Sequence, residues 1–190
     1  MPGIGKTGQQ RIQQSHIALV GLGGIGCTSA QLLVSSGIGC LSLCDFDSVA
    51  ESNLARQILY RKADIGRLKT AVAAEYLHQL NPDTDLKIHA QRMTDESLGE
   101  LLPACNLVID ASDNYGTRLA VNRACITHQK PWIMASCIRQ EAQVMLLRPD
   151  LPGSACYRCA YGSAPETLED CPGAGIFAPV AGLTGATAAH

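Results

Sequence analysis

Short apolar runs alternate with longer segments of mixed polarity along the first 150 residues of the chain. Apolar runs bounded by glycine, aspartate or proline are typical of buried strands, and longer segments with apolar positions at helical spacing predict helices. The pattern predicts strands over residues 17–20, 41–44, 86–90, 107–109, 132–134 and 143–147, and helices over residues 24–36, 69–80, 95–102 and 117–128. Residues 1–15 are polar and predict a loose lead-in, whereas the glycine, proline and cysteine residues after Arg148-Pro149 predict a long functional loop.

This alternation of strands and helices predicts an α/β fold with a Rossmann-like, mostly parallel sheet and helices on both faces. The 190 residues suit one domain, and a hydrophobic fraction of 46% with a charged fraction of 17% is typical of a globular chain. A net charge of −2 argues against a nucleic-acid-binding surface. No transmembrane segment or signal peptide is predicted, so we expect the nine cysteines to be reduced in a cytoplasmic protein.

A glycine-rich loop follows the first predicted strand and opens the first long helix. Its glycines Gly21, Gly23, Gly24 and Gly26 match the pattern G-x-G-x-x-G, which permits a tight turn and lets backbone N–H groups approach a phosphate. Asp45 follows at the end of the next predicted strand, where a carboxylate can accept hydrogen bonds from a ribose. The loop and the acid together predict an adenine nucleotide site, but they do not separate NAD from ATP.

The downstream charges favour ATP. Arg56 offers a planar fork for phosphate oxygens and Lys69 a point charge, which a nucleotidyl transferase needs as pyrophosphate leaves and a dehydrogenase does not. Asp110 and Asp113 follow another strand end, where a carboxylate is well placed to hold Mg²⁺ on the same phosphates. Each of these residues alone could be a solvated surface charge, but their shared position after strand ends indicates one site.

These motifs together resemble the ThiF/MoeB/HesA family, the bacterial relatives of ubiquitin-activating enzymes. The resemblance covers nearly everything from Gly8 to His190, and the stretches at 91–94 and 135–136 look more like the thiamine-pathway ThiF branch than the molybdopterin MoeB branch. The segments that carry it are Val20 to Gly26, Asp45-Phe46-Asp47, Ser52 to Gln57, Leu80-Asn81-Pro82, Asp110 to Asn114, Cys156-Tyr157-Arg158-Cys159, and Cys171 followed by Ala174-Gly175 and Pro179.

The resemblance implies a ThiF-type nucleotide-binding fold and ATP–Mg²⁺ chemistry. A sulfur-carrier protein that resembles ubiquitin would present its C-terminal glycine carboxylate to the α-phosphate, and the products would be an acyl-adenylate and pyrophosphate. The family forms dimers, so a homodimer is expected. By residue match, Gly23 and its loop lie near ATP, Asp45 binds the ribose, Asp113 holds Mg²⁺, and the phosphates are held by Asn53, Arg56 and Lys69.

The resemblance also implies that the sequence is shortened at both ends. The family usually begins with a short helix whose arginine reaches the partner subunit's ATP site, and it carries a second Cys-x-x-Cys nearer its C-terminus; neither is present. Two alternatives to the enzyme stay open. One is a non-catalytic ThiF-like binding subunit that keeps the fold, and the other, suggested by the glycine loop alone, is an NAD-dependent oxidoreductase.

Three cysteines near the C-terminal end are candidates for chemistry. Cys156 and Cys159 form one Cys-x-x-Cys, half of the four-ligand set that structural zinc prefers, and a redox pair or two structural thiols are the alternatives. The resemblance favours Zn²⁺ in a complete protein. Cys171 matches a cysteine that some family members use for acyl or sulfur transfer, although neighbouring acids would raise its pKa and weaken it as a nucleophile.

Overall fold

A computed structural model describes residues 4–162 and 175–190 of the chain. Its helices and strands, in chain order, are α1 (Gly5–Gln13), β1 (His16–Val20), α2 (Gly24–Ser35), β2 (Cys40–Cys44), α3 (Lys69–Leu80), β3 (Asp85–His89), α4 (Asp95–Leu101), β4 (Leu107–Asp110), α5 (Tyr115–Thr127), β5 (Trp132–Ile138), β6 (Glu141–Leu147), α6 (Tyr157–Tyr161) and α7 (Ala178–Ala189). Within these residues, no helix combines the length and apolar character needed to cross a bilayer.

The six strands form one sheet in the order β3-β2-β1-β4-β5-β6. All neighbours are parallel except β6, which runs antiparallel to β5 along the edge of the sheet. In β1, Val20 pairs with Cys44 of β2 and with Asp110 of β4, so the carboxyl ends of the three central strands are level. The chain order reverses beside β1, and open α/β sheets bind ligands at such a switch point.

Helices cover both faces of the sheet, as the sequence predicts, and each face has its own apolar core. On one face, alternate residues of β1 such as Ile17 and Leu19 pack with residues of α2, α3 and α7. On the other face, Ala18 and Val20 pack with residues of α4, α5 and Tyr157 of α6. Strands buried on both faces explain why β1 is apolar along most of its length instead of alternating with polar residues.

Two expectations at the ends of the chain were wrong. Residues 5–13 are the helix α1, not a loose lead-in, and Ile12 on this polar helix packs against the core. The region after Arg148 is not all loop, because it contains α6 and α7. α7 packs closely against α2, where a Cβ added to Gly185 would lie 2.5 Å from the carbonyl oxygen of Ile25.

The predicted helix over residues 69–80 is confirmed at both ends, and the other bounds shift by a few residues.

Candidate nucleotide site

A cavity of about 390 Å³ opens at the carboxyl ends of β1, β2 and β4. Most residues that the sequence predicts for nucleotide binding line it, although they come from three separate segments of the chain, which follow β1, β2 and β4. The predicted lining residues are Gly21, Gly23, Gly24, Asp45, Asn53, Arg56, Lys69 and Asp113. The parallel sheet brings them together because each segment leaves a strand at the same edge.

The glycine loop needs glycine for steric reasons that the structure makes specific. Gly21 has a φ of 94°, and a Cβ there would lie 2.7 Å from the carbonyl oxygen of Ala111. A Cβ on Gly26 would lie 1.9 Å from the carbonyl oxygen of Gly21. The loop therefore folds back on itself and against the loop after β4. Gly23 is the N-cap of α2, so the free N–H groups and the positive end of the helix dipole face the cavity.

Asp45 holds the glycine loop as well as lining the cavity. Its Oδ2 accepts a hydrogen bond from the N–H of Leu22 at 2.7 Å, and its Oδ1 accepts one from the N–H of Asp47 at 2.8 Å. Burial raises the pKa of Asp45 above its usual value, and the charge of Lys69 and the two backbone N–H groups partly oppose that rise. Each carboxylate oxygen keeps a further lone pair that can accept from a ribose hydroxyl.

The two predicted phosphate-binding cations differ in their surroundings. The Lys69 Nζ lies 2.9 Å from Asp47 Oδ2, and its side chain is 7% exposed while that of Asp47 is 50% exposed. Arg56 is half-buried and donates from Nη1 to the carbonyl oxygen of Ser52 at 3.2 Å. Asn53 accepts at Oδ1 from the N–H of Ala50 at 3.2 Å. Lys69 is thus held by a carboxylate at the cavity wall, and Arg56 by one carbonyl bond.

One buried and one exposed carboxylate stand where β4 ends and its following loop begins. Asp113 is exposed on the cavity wall, whereas Asp110 is completely buried and accepts at Oδ1 from the N–H of Ser112 at 2.9 Å. Burial raises the pKa of Asp110, and the hydrogen bond from the N–H of Ser112 and the charge of Arg118 oppose that rise. Arg118 donates from Nη2 to the carbonyl oxygen of Ser112 at 2.9 Å, which ties the loop to α5.

Sequence reasoning missed several residues of the cavity. Gln57, Ser112 and Arg118 all line it, and each has a buried polar atom without a hydrogen-bond partner among the described residues: Gln57 Oε1, Ser112 Oγ and Arg118 Nε. Ile176 and Ala181, near and on α7, close another side of the cavity. Arg118 lies one turn after the N-cap of α5, and that position was the only signal in the sequence that it faces the strand ends.

The predicted zinc ligands Cys156 and Cys159 do not line this cavity. The sulfur atoms of Cys156 and Cys159 are 3.5 Å apart at the start of α6. Burial alone would raise the pKa of Cys156, but hydrogen bonds from Cys159 and from the backbone of Arg158 outweigh it, so the pKa lies below its usual value. No group of three or more potential metal ligands occurs within residues 4–162 and 175–190. Cys171 lies outside the described residues.

Comparison with known proteins shows the family and the fold of the chain. Residues 1–190 match the ThiF family. The chain is 40% identical to the sulfur carrier protein ThiS adenylyltransferase of Escherichia coli K12 over 96% of its own length and 72% of the relative's. It is 37% identical to the adenylyltransferase and sulfurtransferase uba4 of Aspergillus niger over 97% of its own length, and it spans only 40% of that relative. The crystal structure of E. coli MccB with ATP superimposes with a TM-score of 0.81 at 26% identity, covering 95% of this chain and 55% of MccB.

Proposed function

The chain belongs to the ThiF family, and from that premise we propose that it is the nucleotide-binding part of an ATP-dependent adenylyltransferase. Its proposed second substrate is the C-terminal glycine carboxylate of a ubiquitin-like sulfur-carrier protein. The observation that carries the proposal is the meeting of the glycine loop, the carboxylate of Asp45 and three cationic side chains around one cavity. An NAD-dependent enzyme would need the first two of these features but not the cations.

In the proposed reaction, a carboxylate oxygen of the carrier attacks the α-phosphorus of ATP. A bond forms between that oxygen and the α-phosphorus. The bond from the α-phosphorus to the oxygen that bridges the α- and β-phosphates breaks, and its electron pair leaves with pyrophosphate. Arg56, Arg118 and Lys69 line the cavity and can stabilise the negative charge that grows on the leaving group. Lys69 would first have to exchange its bond to Asp47 for a phosphate oxygen.

The cavity fits a triphosphate with its metal. Free backbone N–H groups at the start of α2 suit phosphate oxygens, and the buried Arg118 Nε and Ser112 Oγ are polar atoms that lack partners among the described residues. Asp113 is the exposed carboxylate on the same wall and is the residue we propose to hold Mg²⁺, which would neutralise phosphate charge when bound. Asp45 would bind the ribose, and Asn53 would contact the phosphates.

We further propose that the carrier belongs to thiamine biosynthesis and that the chain works as a cytoplasmic homodimer. Support for the pathway comes from the 40% identity to the ThiS adenylyltransferase. The chain spans 72% of that relative but only 40% of uba4. A molybdopterin-type carrier is the alternative. Offering purified carriers of both kinds to the enzyme would distinguish them, and light scattering would measure the subunit number.

The described residues fit half of a zinc site. Two thiolates bound to one tetrahedral zinc at about 2.3 Å are roughly 3.8 Å apart, which is close to the separation of the Cys156 and Cys159 sulfur atoms. The other two ligands would have to come from outside the described residues. We therefore propose Cys156 and Cys159 as structural zinc ligands with no part in the adenylation chemistry, and Cys171 as the candidate thiol for acyl or sulfur transfer.

Two measurements test the proposed function. In a thermal-shift assay, ATP with Mg²⁺ should raise the melting temperature more than NAD does, and the reverse order would contradict the assignment. In an exchange assay, radioactive pyrophosphate should enter ATP only when a carrier with an intact C-terminal glycine is present. A carrier that lacks this glycine is the matched control. Equal exchange with both carriers would show that the carboxylate of this glycine is not the required nucleophile.

A further inference from the structure

The segment between β2 and α3 carries much of the cavity wall, although it contains only short helical turns. Its ends are closed by a bridge between Ser48 and Leu68, and the N–H of Val49 donates to the carbonyl oxygen of Arg67 at 2.9 Å. The segment, residues 48–68, is therefore a closed loop whose ends are fixed beside Lys69. Arg56 and Gln57 stand on its cavity side. The conformation of this loop decides where both side chains point.

We call residues 48–68 the crossover loop. Asp64 is a buried carboxylate inside this loop and does not line the cavity. The residue is 4% exposed, yet its oxygens accept hydrogen bonds from three donors: the N–H of Arg61 at 2.8 Å, Arg67 Nη1 at 3.3 Å and the hydroxyl of Tyr76 at 3.4 Å. Two of these donors belong to the loop, and Tyr76 belongs to α3. Asp64 thus joins the far part of the loop to the helix that begins with Lys69.

A continuous series of contacts links Asp64 to the glycine loop. Arg61 donates its N–H to Asp64, while its Nη1 donates to the carbonyl oxygens of Ile58 at 2.7 Å and Tyr60 at 3.1 Å. The hydroxyl of Tyr60 in turn donates to the carbonyl oxygen of Leu22 at 3.0 Å. The Arg61 guanidinium also lies 5.5 Å from the centre of the Tyr76 ring. Each contact restricts the stretch that carries Arg56.

We propose that Asp64 is a positioning residue for nucleotide binding: it fixes the crossover loop so that Arg56 faces the phosphates. This inference rests on the proposed function, because it requires ATP to occupy the cavity. A carboxylate is suited to the task because one group can accept from three donors on two elements. Asparagine has the same shape, but it offers only one acceptor oxygen and directs an amide N–H₂ towards donors.

The test measures the affinity for ATP–Mg²⁺ by isothermal titration calorimetry in the full chain. We expect Asp64→Asn to bind about tenfold more weakly than wild type, because coupled neighbours commonly interact by this much. Glu75→Gln is the matched control: Glu75 pairs with the same Arg67, but its side chain is 56% exposed and it belongs to α3, outside the loop. We expect Glu75→Gln to bind as wild type does.

A double-mutant cycle separates positioning from simple stabilisation. If Asp64 acts through Arg56, Asp64→Asn should weaken binding much less in an Arg56→Ala background than in wild type. Full additivity of the two changes, or wild-type affinity in folded Asp64→Asn, would overturn the inference. Failure of the wild-type chain to bind ATP–Mg²⁺ would instead refute the proposed function. If circular dichroism shows that Asp64→Asn does not fold, the cycle is repeated with Tyr76→Phe, which removes one donor and should weaken binding by a smaller factor that also depends on Arg56.

Discussion

Replacing Asp45 with alanine should damage both the stability of the protein and its affinity for ATP, because this carboxylate holds the glycine loop. The N–H of Leu22 loses its acceptor, and Leu22 is completely buried, so water cannot easily replace the bond. That loss costs about 1.5–3 kcal/mol for a hydrogen bond to a charged group. The N–H of Asp47 is exposed and can be solvated, so its loss adds roughly 0.5 kcal/mol or less.

Removing a buried charge works in the opposite direction. Burial raises the pKa of Asp45, so keeping this carboxylate ionised costs free energy in the folded protein. The gain from relieving that cost offsets part of the lost hydrogen bonding. We therefore expect Asp45→Ala to lower the free energy of unfolding by about 2 kcal/mol, towards the lower end of the range for the lost bonds. The KM for ATP should rise about tenfold, because the ribose contact exists in the ground state and the transition state alike.

Asp113→Ala is the matched control within the same cavity. Asp113 is exposed, so its removal should change the free energy of unfolding by no more than about 0.5 kcal/mol. If it holds Mg²⁺, carrier-dependent exchange should nevertheless fall by roughly 10²–10³. Urea unfolding followed by circular dichroism and pyrophosphate exchange with the carrier measure the two effects. Wild-type stability in Asp45→Ala would refute the structural role assigned here, and wild-type exchange in Asp113→Ala would refute the metal assignment.

Three further predictions use other parts of the structure. Arg56→Ala and Lys69→Ala should each reduce the rate of pyrophosphate exchange by roughly 10²–10³, and the remaining exchange should still require the carrier. Full exchange activity in either variant would show that the replaced residue has no part in the mechanism. Gly26→Ala should lower the urea midpoint substantially, because its Cβ would lie 1.9 Å from the carbonyl oxygen of Gly21, and an unchanged midpoint would contradict the loop geometry. Burial lowers the pKa of His16, so the unfolded chain binds more protons than the folded chain does below about pH 6.5. The free energy of unfolding should therefore fall as the pH is lowered through that value. Urea titrations should show a weaker pH dependence in His16→Gln.

The sequence alone was enough to identify the strands, the glycine loop and the acid that follows it. Each of these features is local: a buried parallel strand must be apolar throughout, and a loop with a φ of 94° at Gly21 strongly favours glycine. The end of α3 could also be predicted, since the Asn81-Pro82 pair cannot continue a helix. The parallel sheet then implied that Asp45 and Asp113 would approach each other, because both follow strands that end at the same edge.

Only the tertiary structure decided the parts whose stability comes from contacts with distant residues. The sequence of α7 is small and apolar on all sides and has two internal glycines, so no helical period marks it. It forms a helix because Gly185 allows close approach to α2, where Ser29 Oγ donates to its carbonyl oxygen at 2.9 Å. The partners of Lys69 and Asp64 could not be predicted from the sequence either. The ion pair of Lys69 and the hydrogen bonds of the buried Asp64 carboxylate depend on where the crossover loop returns to α3, and not on the spacing of residues along the chain.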